Sequence, residues 1–123
     1  MIMVPGFLLK RLYVKRSLRN SHIGFEFQLK NNLGSGYAQK MWPLTLDDAE
    51  LPIDSTYFSL KGQESSFAEV SADTPFTLPM NKVITVRVAG VKLHPGVRKI
   101  EIAFDVPGLG TLRFSFNDIA ADE

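Results

Sequence analysis

The sequence predicts an all-β protein, an antiparallel β-sandwich of immunoglobulin-like or jelly-roll-like type, with a partly closed β-barrel as the alternative. Three observations lead to this prediction. Apolar and polar residues alternate with period two in several segments, which is typical of strands with one buried face. Turn-forming residues separate these segments at intervals of about 8 to 12 residues, as in sandwich domains. No segment keeps a helical periodicity over ten residues.

The strongest strand pair is predicted near the end of the chain. In "RKIEIAFDV" the apolar residues Ile100, Ile102, Phe104 and Val106 fall on one face, and "TLRFSFN" repeats the alternation. Between them, "PGLG" supplies the restricted and the permissive φ values that a tight connection needs. We therefore predict a β-hairpin over residues 97–117.

Further strands are predicted upstream of this hairpin. "KVITVRV" (82–88) and "GFEFQLK" (24–30) alternate clearly, whereas "FLLKRLYVK" (7–15) alternates less well and is expected to be a strand with both faces partly covered. Shorter strands are expected at residues 40–46, 55–61, 66–71 and 75–78. A single helical turn is the alternative over residues 67–73.

Length and composition indicate one globular domain over residues 1–123, since 45% of the residues are hydrophobic and 22% are charged. There is no cysteine, which excludes disulfides and thiolate metal sites. The apolar start is interrupted by Pro5 and Gly6 and precedes the basic residues, the reverse of a signal peptide. No stretch approaches the roughly 20 apolar residues of a membrane span. We predict a cytoplasmic protein that does not associate with membranes.

Charge is distributed unevenly along the chain, although the net charge is only +1. Residues 1–40 contain seven bases and one acid, and residues 41–81 contain seven acids and one base. Such a split favours self-association or a charged partner if it persists on the surface. Alternatively, strands from all parts of the chain interleave and the charges average out.

The acidic stretch "LDDAELPID" is the candidate for a metal site, with Asp47, Asp48 and Glu50 as potential oxygen ligands for calcium or magnesium. It lacks the loop pattern of an EF-hand, and paired aspartates are common in solvated turns. His22 and His94 are far apart in the sequence and have no cysteine to complete a zinc site. We therefore expect no metal and no cofactor.

Candidate ligand-binding residues are Tyr37, Trp42 and His94. Trp42 precedes a proline, where a tryptophan can anchor a sugar or a protein partner, although it can equally fill the core. His94 precedes a Pro-Gly turn, where a surface role is the simpler interpretation. No catalytic residue is assigned, because the serines lie outside a GxSxG motif and the glycine-rich "GSG" lacks the residues of a phosphate-binding loop.

The stretch "KRLYVKRSLR" combines five basic residues with Tyr13, a pattern that can bind single-stranded nucleic acid on a β-sheet. A solvated basic edge that discourages strand pairing is the alternative. Because the net charge of the whole chain is near zero, we do not expect nucleic acid as the partner.

Three stretches, "GFEFQLKN", "LTLDDAELPID" and "GVKLHPGVRKIEIAF", together resemble the small β-sandwich proteins found beside larger catalytic subunits. These include the β subunits of C-glycoside deglycosidases and uncharacterised bacterial and archaeal proteins of similar layout. The resemblance implies an accessory or oligomer-forming subunit with most of the chemistry in its partner. A histidine after Gly96 would suit it, but Val97 and Arg98 follow, so no functional residue is carried over.

The sequence thus predicts a non-enzymatic sandwich that acts in protein assembly, as a homo-oligomer or as the accessory subunit of a larger protein. The first alternative is a carbohydrate or small-molecule binding module, with or without weak hydrolase activity. A single-strand nucleic-acid binder is the second.

Overall fold

A computed structural model describes residues 4–34 and 36–121, which form antiparallel β-sheets around one core. The described strands are β1 (Arg19–Asn20), β2 (Gly24–Lys30), β3 (Gly36–Ala38), β4 (Lys40–Met41), β5 (Thr45–Leu46), β6 (Ala49–Glu50), β7 (Thr56–Leu60), β8 (Gln63–Ser66), β9 (Phe76–Leu78), β10 (Val83–Ala89), β11 (Val97–Val106) and β12 (Gly110–Ile119). The helical elements are the short α-helix α1 (Gly6–Leu9) and the 3-10 turns Lys10–Leu12, Ile53–Ser55 and Phe67–Glu69.

The strands form two main sheets and one small ladder. The first sheet has the order β1-β2-β10-β7-β8, and the second has the order β12-β11-β5-β6, with β4 also pairing with β11. Strands β3 and β9 pair separately. None of these sheets closes on itself within the described residues, so the sandwich is confirmed and the barrel alternative is wrong.

The predicted terminal hairpin is confirmed. Strands β11 and β12 pair from Val97 opposite Ile119 to Val106 opposite Gly110. The turn is closed by the Leu109 amide, which donates to the Val106 carbonyl at 3.0 Å, and Gly108 takes a φ of 82° that favours glycine. The pairing continues two residues beyond the predicted end at residue 117.

The core lies between the inner faces of the two main sheets. Phe27 of β2 and Phe116 of β12 meet edge to face with ring centroids 5.1 Å apart, and Tyr13 stacks on Phe116 at 3.6 Å. Alternation on β11 buries Ile100 and Ile102, as the pattern predicts. These contacts join strands from opposite sheets, so the two layers fold around a single set of apolar side chains.

The strand predicted over residues 7–15 is wrong, because this segment forms α1 and the following 3-10 turn. The amides of Leu8 and Leu9 donate to the Pro5 carbonyl at 3.0 and 3.2 Å, which starts the helix. Leu9, Leu12 and Tyr13 are buried together, with the spacing i, i+3, i+4 of one helix face. The segment covers one end of the sandwich and contacts β12.

Of the other predicted strands, those at 24–30, 55–61, 75–78 and 82–88 are confirmed within one or two residues. The strand at 66–71 is wrong: Ser66 ends β8, and its Oγ accepts from the Ala68 amide at 3.1 Å, which caps the 3-10 turn of the stated alternative. The segment 40–46 contains two separate strands, β4 and β5, with Pro43 between them.

Ion pairs partly neutralise the uneven charge of the sequence. Bases of the last third meet acids of the middle third in three pairs: Arg87 with Glu64 at 2.6 Å, Arg98 with Asp47 at 3.1 Å, and Lys99 with Asp48 at 3.1 Å. Of the bases in the first 40 residues, Arg19 pairs with a described acid, Glu26, at 3.7 Å. The first third therefore keeps most of its positive charge on the surface.

Candidate functional site

Trp42 lies outside the buried core, on the outer face of the second sheet. Its amide donates to the Ala103 carbonyl at 3.0 Å, and its indole Nε1 donates to Asp105 Oδ1 at 2.8 Å. The Lys40 ammonium lies 3.9 Å from the ring centroid, a cation–π contact that covers one ring face. Hydrogen bonds from Thr111 Oγ1 and the Trp42 indole hold the pKa of Asp105 below its usual range. Trp42 is thus half-buried and engaged in contacts within the chain.

The acidic stretch forms the turn between β5 and β6. Asp47 and Asp48 both take positive φ values, 49° and 72°, as a two-residue type I′ hairpin turn requires. Asp47 accepts hydrogen bonds from the Lys99 amide at 3.0 Å and from Arg98 at 3.1 Å, and these bonds lower its pKa. Glu50 is exposed on β6. Within residues 4–34 and 36–121, no group of three or more histidine or carboxylate side chains is placed to hold a metal.

His94 is exposed in the loop before β11. Its backbone carbonyl accepts a hydrogen bond from Arg98 Nε at 3.1 Å. Arg98 also donates to the Pro95 carbonyl at 2.7 Å, so the guanidinium ties this loop to the start of β11. The imidazole makes no hydrogen bond to a described residue, which agrees with a surface position.

Tyr37 lines an apolar cleft of about 250 Å³ at the end of the sandwich. The cleft lies between the N-terminal helical segment, the loop after β2, the β3–β9 ladder and the tip of the β11–β12 hairpin, with walls that include Leu9, Leu12, Leu33, Phe76, Leu109 and Leu112. Tyr37 and Leu33 remain partly exposed at the rim. No lysine, arginine, aspartate, glutamate or histidine is among the described residues that line it.

Asn31 is a buried polar side chain in the wall of this cleft, and its hydrogen-bonding groups are already used by the backbone. Its amide nitrogen donates to the carbonyls of Gly34 and Leu78, the latter at 2.7 Å. Its oxygen accepts from the amides of Leu33 at 3.0 Å and Gly34 at 3.2 Å. Asn31 therefore shapes the rim loop and holds it against β9.

The structure does not bring the three candidate ligand-binding residues together. Trp42 bonds to Ala103, and His94 bonds to Arg98. Ala103 and Arg98 lie five residues apart on β11, which is about 17 Å at roughly 3.3 Å per residue. Of the three, only Tyr37 lines the apolar cleft. The cleft is thus the candidate site, and Trp42 and His94 lie outside it.

Sequence reasoning missed most of the cleft residues, although two of them carry a signal. Leu33 in "NNLGSG" and Leu109 in "PGLG" are apolar residues inside turns, where polar residues are usual. Both line the cleft. An apolar residue inside a glycine-rich turn could therefore have indicated a binding site there.

Tyr13, the aromatic residue of the basic stretch, is buried and unavailable to stack on a nucleic-acid base. Its hydroxyl donates to Asp118 Oδ2 at 2.7 Å and accepts from the Leu18 amide at 3.2 Å. Burial, followed by the hydrogen bond to Asp118, raises the pKa of Tyr13 well above its usual value. This arrangement removes the aromatic platform that the nucleic-acid alternative needed.

Asp118 fastens the N-terminal segment to β12, and we expect its contribution to stability to depend on pH. Burial acts to raise its pKa, but hydrogen bonds from Tyr13 and from the Ile119 and Arg16 amides outweigh burial and lower the pKa. A carboxyl with a lower pKa in the folded than in the unfolded state stabilises at neutral pH, and this contribution is lost as pH falls below about 4.

Asp118→Asn is expected to lower Tm relative to wild type at pH 7, and the difference should shrink as pH approaches 3. Thermal melts followed by circular dichroism over this range measure it. Asp73→Asn, at an exposed carboxylate with no hydrogen bond to a described residue, is the control and should change Tm little at any pH. A Tm difference for Asp118→Asn that stays constant down to pH 3 contradicts the expectation.

No helix in the described ranges has the length and apolar character needed to cross a bilayer.

Among curated proteins, none matches the chain. The resemblance to C-glycoside deglycosidase β subunits remains a prediction. The family model that matches is a different one, described as hydroxymethylglutaryl-CoA reductase, N-terminal domain, and it covers residues 8–121. Since this match extends over nearly the whole chain, the protein belongs to the hydroxymethylglutaryl-CoA reductase N-terminal domain family.

Proposed function

We propose that this chain is a non-catalytic accessory domain that acts in assembly, with further copies of itself or with a larger protein subunit. Its family is described as one domain of an enzyme, which supports a role beside another domain. The lack of cysteine supports a cytoplasmic location. The apolar lining of the cleft supports binding in preference to catalysis, since acid–base chemistry needs positioned ionisable groups.

The observation that carries this proposal is an exposed apolar pair at the open end of the hairpin. Val97 and Ile119 lie opposite each other on β11 and β12, with exposures of 63% and 59%. Both point to the outer face of the second sheet, which usually carries polar residues when it faces water. Together these two side chains offer a small apolar contact surface to a partner.

The position of β12 adds to this argument. It is the edge strand of the second sheet and pairs along its length with β11 alone among the described strands. The N-terminal helical segment contacts part of this edge, and just beyond the strand the Ala121 backbone bonds to Leu18 and Asn20. The backbone groups on the rest of the edge are free to pair with another chain. The exposed pair and the edge are adjacent, so one partner could cover both.

Replacing both residues with lysine, Val97→Lys and Ile119→Lys, is expected to reduce association at least tenfold. The amount of protein that co-purifies with tagged chain from its native extract, together with self-association by size-exclusion chromatography, measures the effect. Phe7→Lys is the matched control, because Phe7 is 71% exposed on α1, away from the pair. Equal association of the double variant and wild type, or no association of wild type, would contradict the proposal.

Small-molecule binding is the second candidate function, and the apolar cleft with Tyr37 at its rim is the observation that favours it. Ligand sites are typically concave and mostly apolar, with few polar groups. The carbohydrate form of this alternative has less support, because Lys40 covers one face of the Trp42 ring.

A further inference from the structure

A second cleft, of about 330 Å³, is lined by the β7–β8 hairpin, the start of β10 and the segment around β9. Four of the side chains that line it are polar: Lys61, Gln63, Ser65 and Thr77. None of these four side chains hydrogen-bonds to another described residue. Their donors and acceptors are therefore available to a ligand, unlike those of Asn31 in the apolar cleft. We call this second site the polar cleft.

Strand pairing explains why polar and apolar side chains meet in the polar cleft. Ser65 lies opposite Phe58, and Gln63 lies opposite Leu60, in the antiparallel pair of β7 and β8. Residues directly opposite each other in such a pair project from the same face of the sheet. The rings of Phe58 and Phe76 meet edge to face with centroids 4.6 Å apart, and this contact holds β9 against that face. The cleft is thus built between two strand segments that the core keeps in place.

Lys61 is the ionisable side chain among the described residues that line the polar cleft. It lies at the tip of the β7–β8 hairpin, where Lys61 and Gly62 take φ values of 54° and 82°, as a two-residue type I′ turn requires. Glu64 projects from the other face of β8, and its carboxylate accepts from Arg87 at 3.0 and 2.6 Å. Asp73 is exposed in the loop before β9 and does not line the cleft. The field in the cleft therefore favours an anion over a cation.

The remaining lining residues restrict the size and the body of the ligand. They are apolar: Phe58, Leu60, Pro75 and Ile84. An apolar wall with a few polar groups favours a ligand with a compact hydrocarbon body. A volume of about 330 Å³ corresponds to about eleven heavy atoms at the roughly 30 Å³ that one water occupies in the liquid. One ammonium group balances the single charge of a carboxylate, whereas a phosphate monoester carries nearly two charges at neutral pH.

We propose that the polar cleft binds a small organic carboxylate with a compact apolar body and a hydroxyl group. The Lys61 ammonium pairs with the carboxylate, and the free groups of Gln63, Ser65 and Thr77 bond to the polar atoms of the ligand. Phe58 and its apolar neighbours cover the hydrocarbon body. This inference goes beyond the assembly role and concerns a different site from the apolar cleft, so the failure of one proposal leaves the others standing.

Titrations of the isotope-labelled chain, followed by its amide NMR shifts at pH 7, test the proposal with three probes of equal size. These are para-hydroxybenzoate, para-hydroxybenzamide and para-hydroxybenzamidine, which are anionic, neutral and cationic. The benzoate is expected to shift the amides of Lys61, Gln63 and Ser65 saturably. It should bind roughly threefold to fivefold more tightly than the benzamide, as an ion pair partly screened by water allows, with the benzamidine weakest.

Three results would overturn the proposal. Equal affinities of the three probes would remove the preference for an anion. No saturable shift with any probe would remove the site itself. Saturable shifts confined to the amides of Leu33 and Leu109 would place the probes in the apolar cleft instead.

Charge removal at the tip of the β7–β8 hairpin tests the role of the ammonium. Lys61→Gln is expected to abolish the preference for the benzoate over the benzamide, while binding of the benzamide persists. Lys92→Gln is the matched control, because Lys92 is exposed and lines neither cleft. An unchanged preference in Lys61→Gln, or an equal loss in both variants, would contradict a direct contact with the ligand.

Filling the polar cleft tests its location. Ser65→Leu is expected to weaken binding of the benzoate roughly tenfold or more, because the larger side chain occupies the volume of the ligand. Ser59→Leu makes the same change on the opposite face of β7 and is expected to leave binding unchanged. The amide spectrum of each variant reports whether the fold persists. Unchanged affinity in a folded Ser65→Leu variant would overturn the assignment.

Discussion

Replacing Phe27 with alanine is expected to lower the free energy of unfolding by about 3 to 5 kcal/mol. Phe27 is fully buried on β2, and its ring meets Phe116 of the opposite sheet at 5.1 Å and Tyr13 at 6.2 Å. Truncation removes the apolar contact between the two layers and leaves a cavity that a β-sandwich fills poorly. Since domains are typically stable by about 5 to 15 kcal/mol, this is a large share.

Urea unfolding followed by circular dichroism measures this loss, and the chain offers a matched control. Phe7→Ala removes the same side chain from a position that is 71% exposed and is expected to change the unfolding free energy by no more than about 0.5 kcal/mol. Similar losses for the two variants would show that Phe27 does not link the sheets as described.

Gly24→Ala is expected to be the most damaging glycine substitution, with a loss of about 1 to 3 kcal/mol or more. A Cβ at this position would lie 1.9 Å from the Val88 carbonyl oxygen and 3.0 Å from its carbon. Both are backbone atoms of β10, the strand paired with β2, so no side-chain rotation can relieve the contact. The first sheet would have to open at the pairing of Gly24 with Ala89.

Gly36→Ala is the control for this prediction, since no atom of another described residue, its chain neighbours aside, lies within 4 Å of the Cβ it would add, and its φ is not in the positive range. It is expected to leave stability unchanged or slightly higher. Thermal and urea unfolding of both variants measure the difference. Equal stability of Gly24→Ala and wild type would contradict the close approach of the two strands.

Alternation predicted the sheets well, because it directly reflects which side chains the core must cover. Ile100, Ile102 and Phe104 are all buried, and the hairpin follows from them and the glycine-rich turn. The prediction failed for the N-terminal segment, because its apolar residues fit both the period of a strand and the period of a helix. A strand would place Phe7 with Leu9, but the structure buries Leu9 and leaves Phe7 exposed, as a helix does.

The candidate site was harder to predict than the fold. Tyr37 drew attention as an aromatic residue, but the cleft it lines combines residues from segments far apart in the sequence, such as Leu9, Phe76 and Leu109. Their proximity depends on how the helix and the hairpin tip meet the β3–β9 ladder. The local pattern of apolar and polar residues in the sequence contains no information about how these elements meet. Trp42 and His94 were grouped with Tyr37 by residue type, and the sheet separates them.

The mass of the complex that tagged chain forms in its native extract tests the proposed assembly role most directly. Light scattering on the eluted protein gives this mass without assumptions about shape. The proposal predicts a value clearly above the 13.7 kDa of one chain, from further copies or from a larger subunit. A mass of 13.7 kDa at every concentration, with no second protein present, would contradict it.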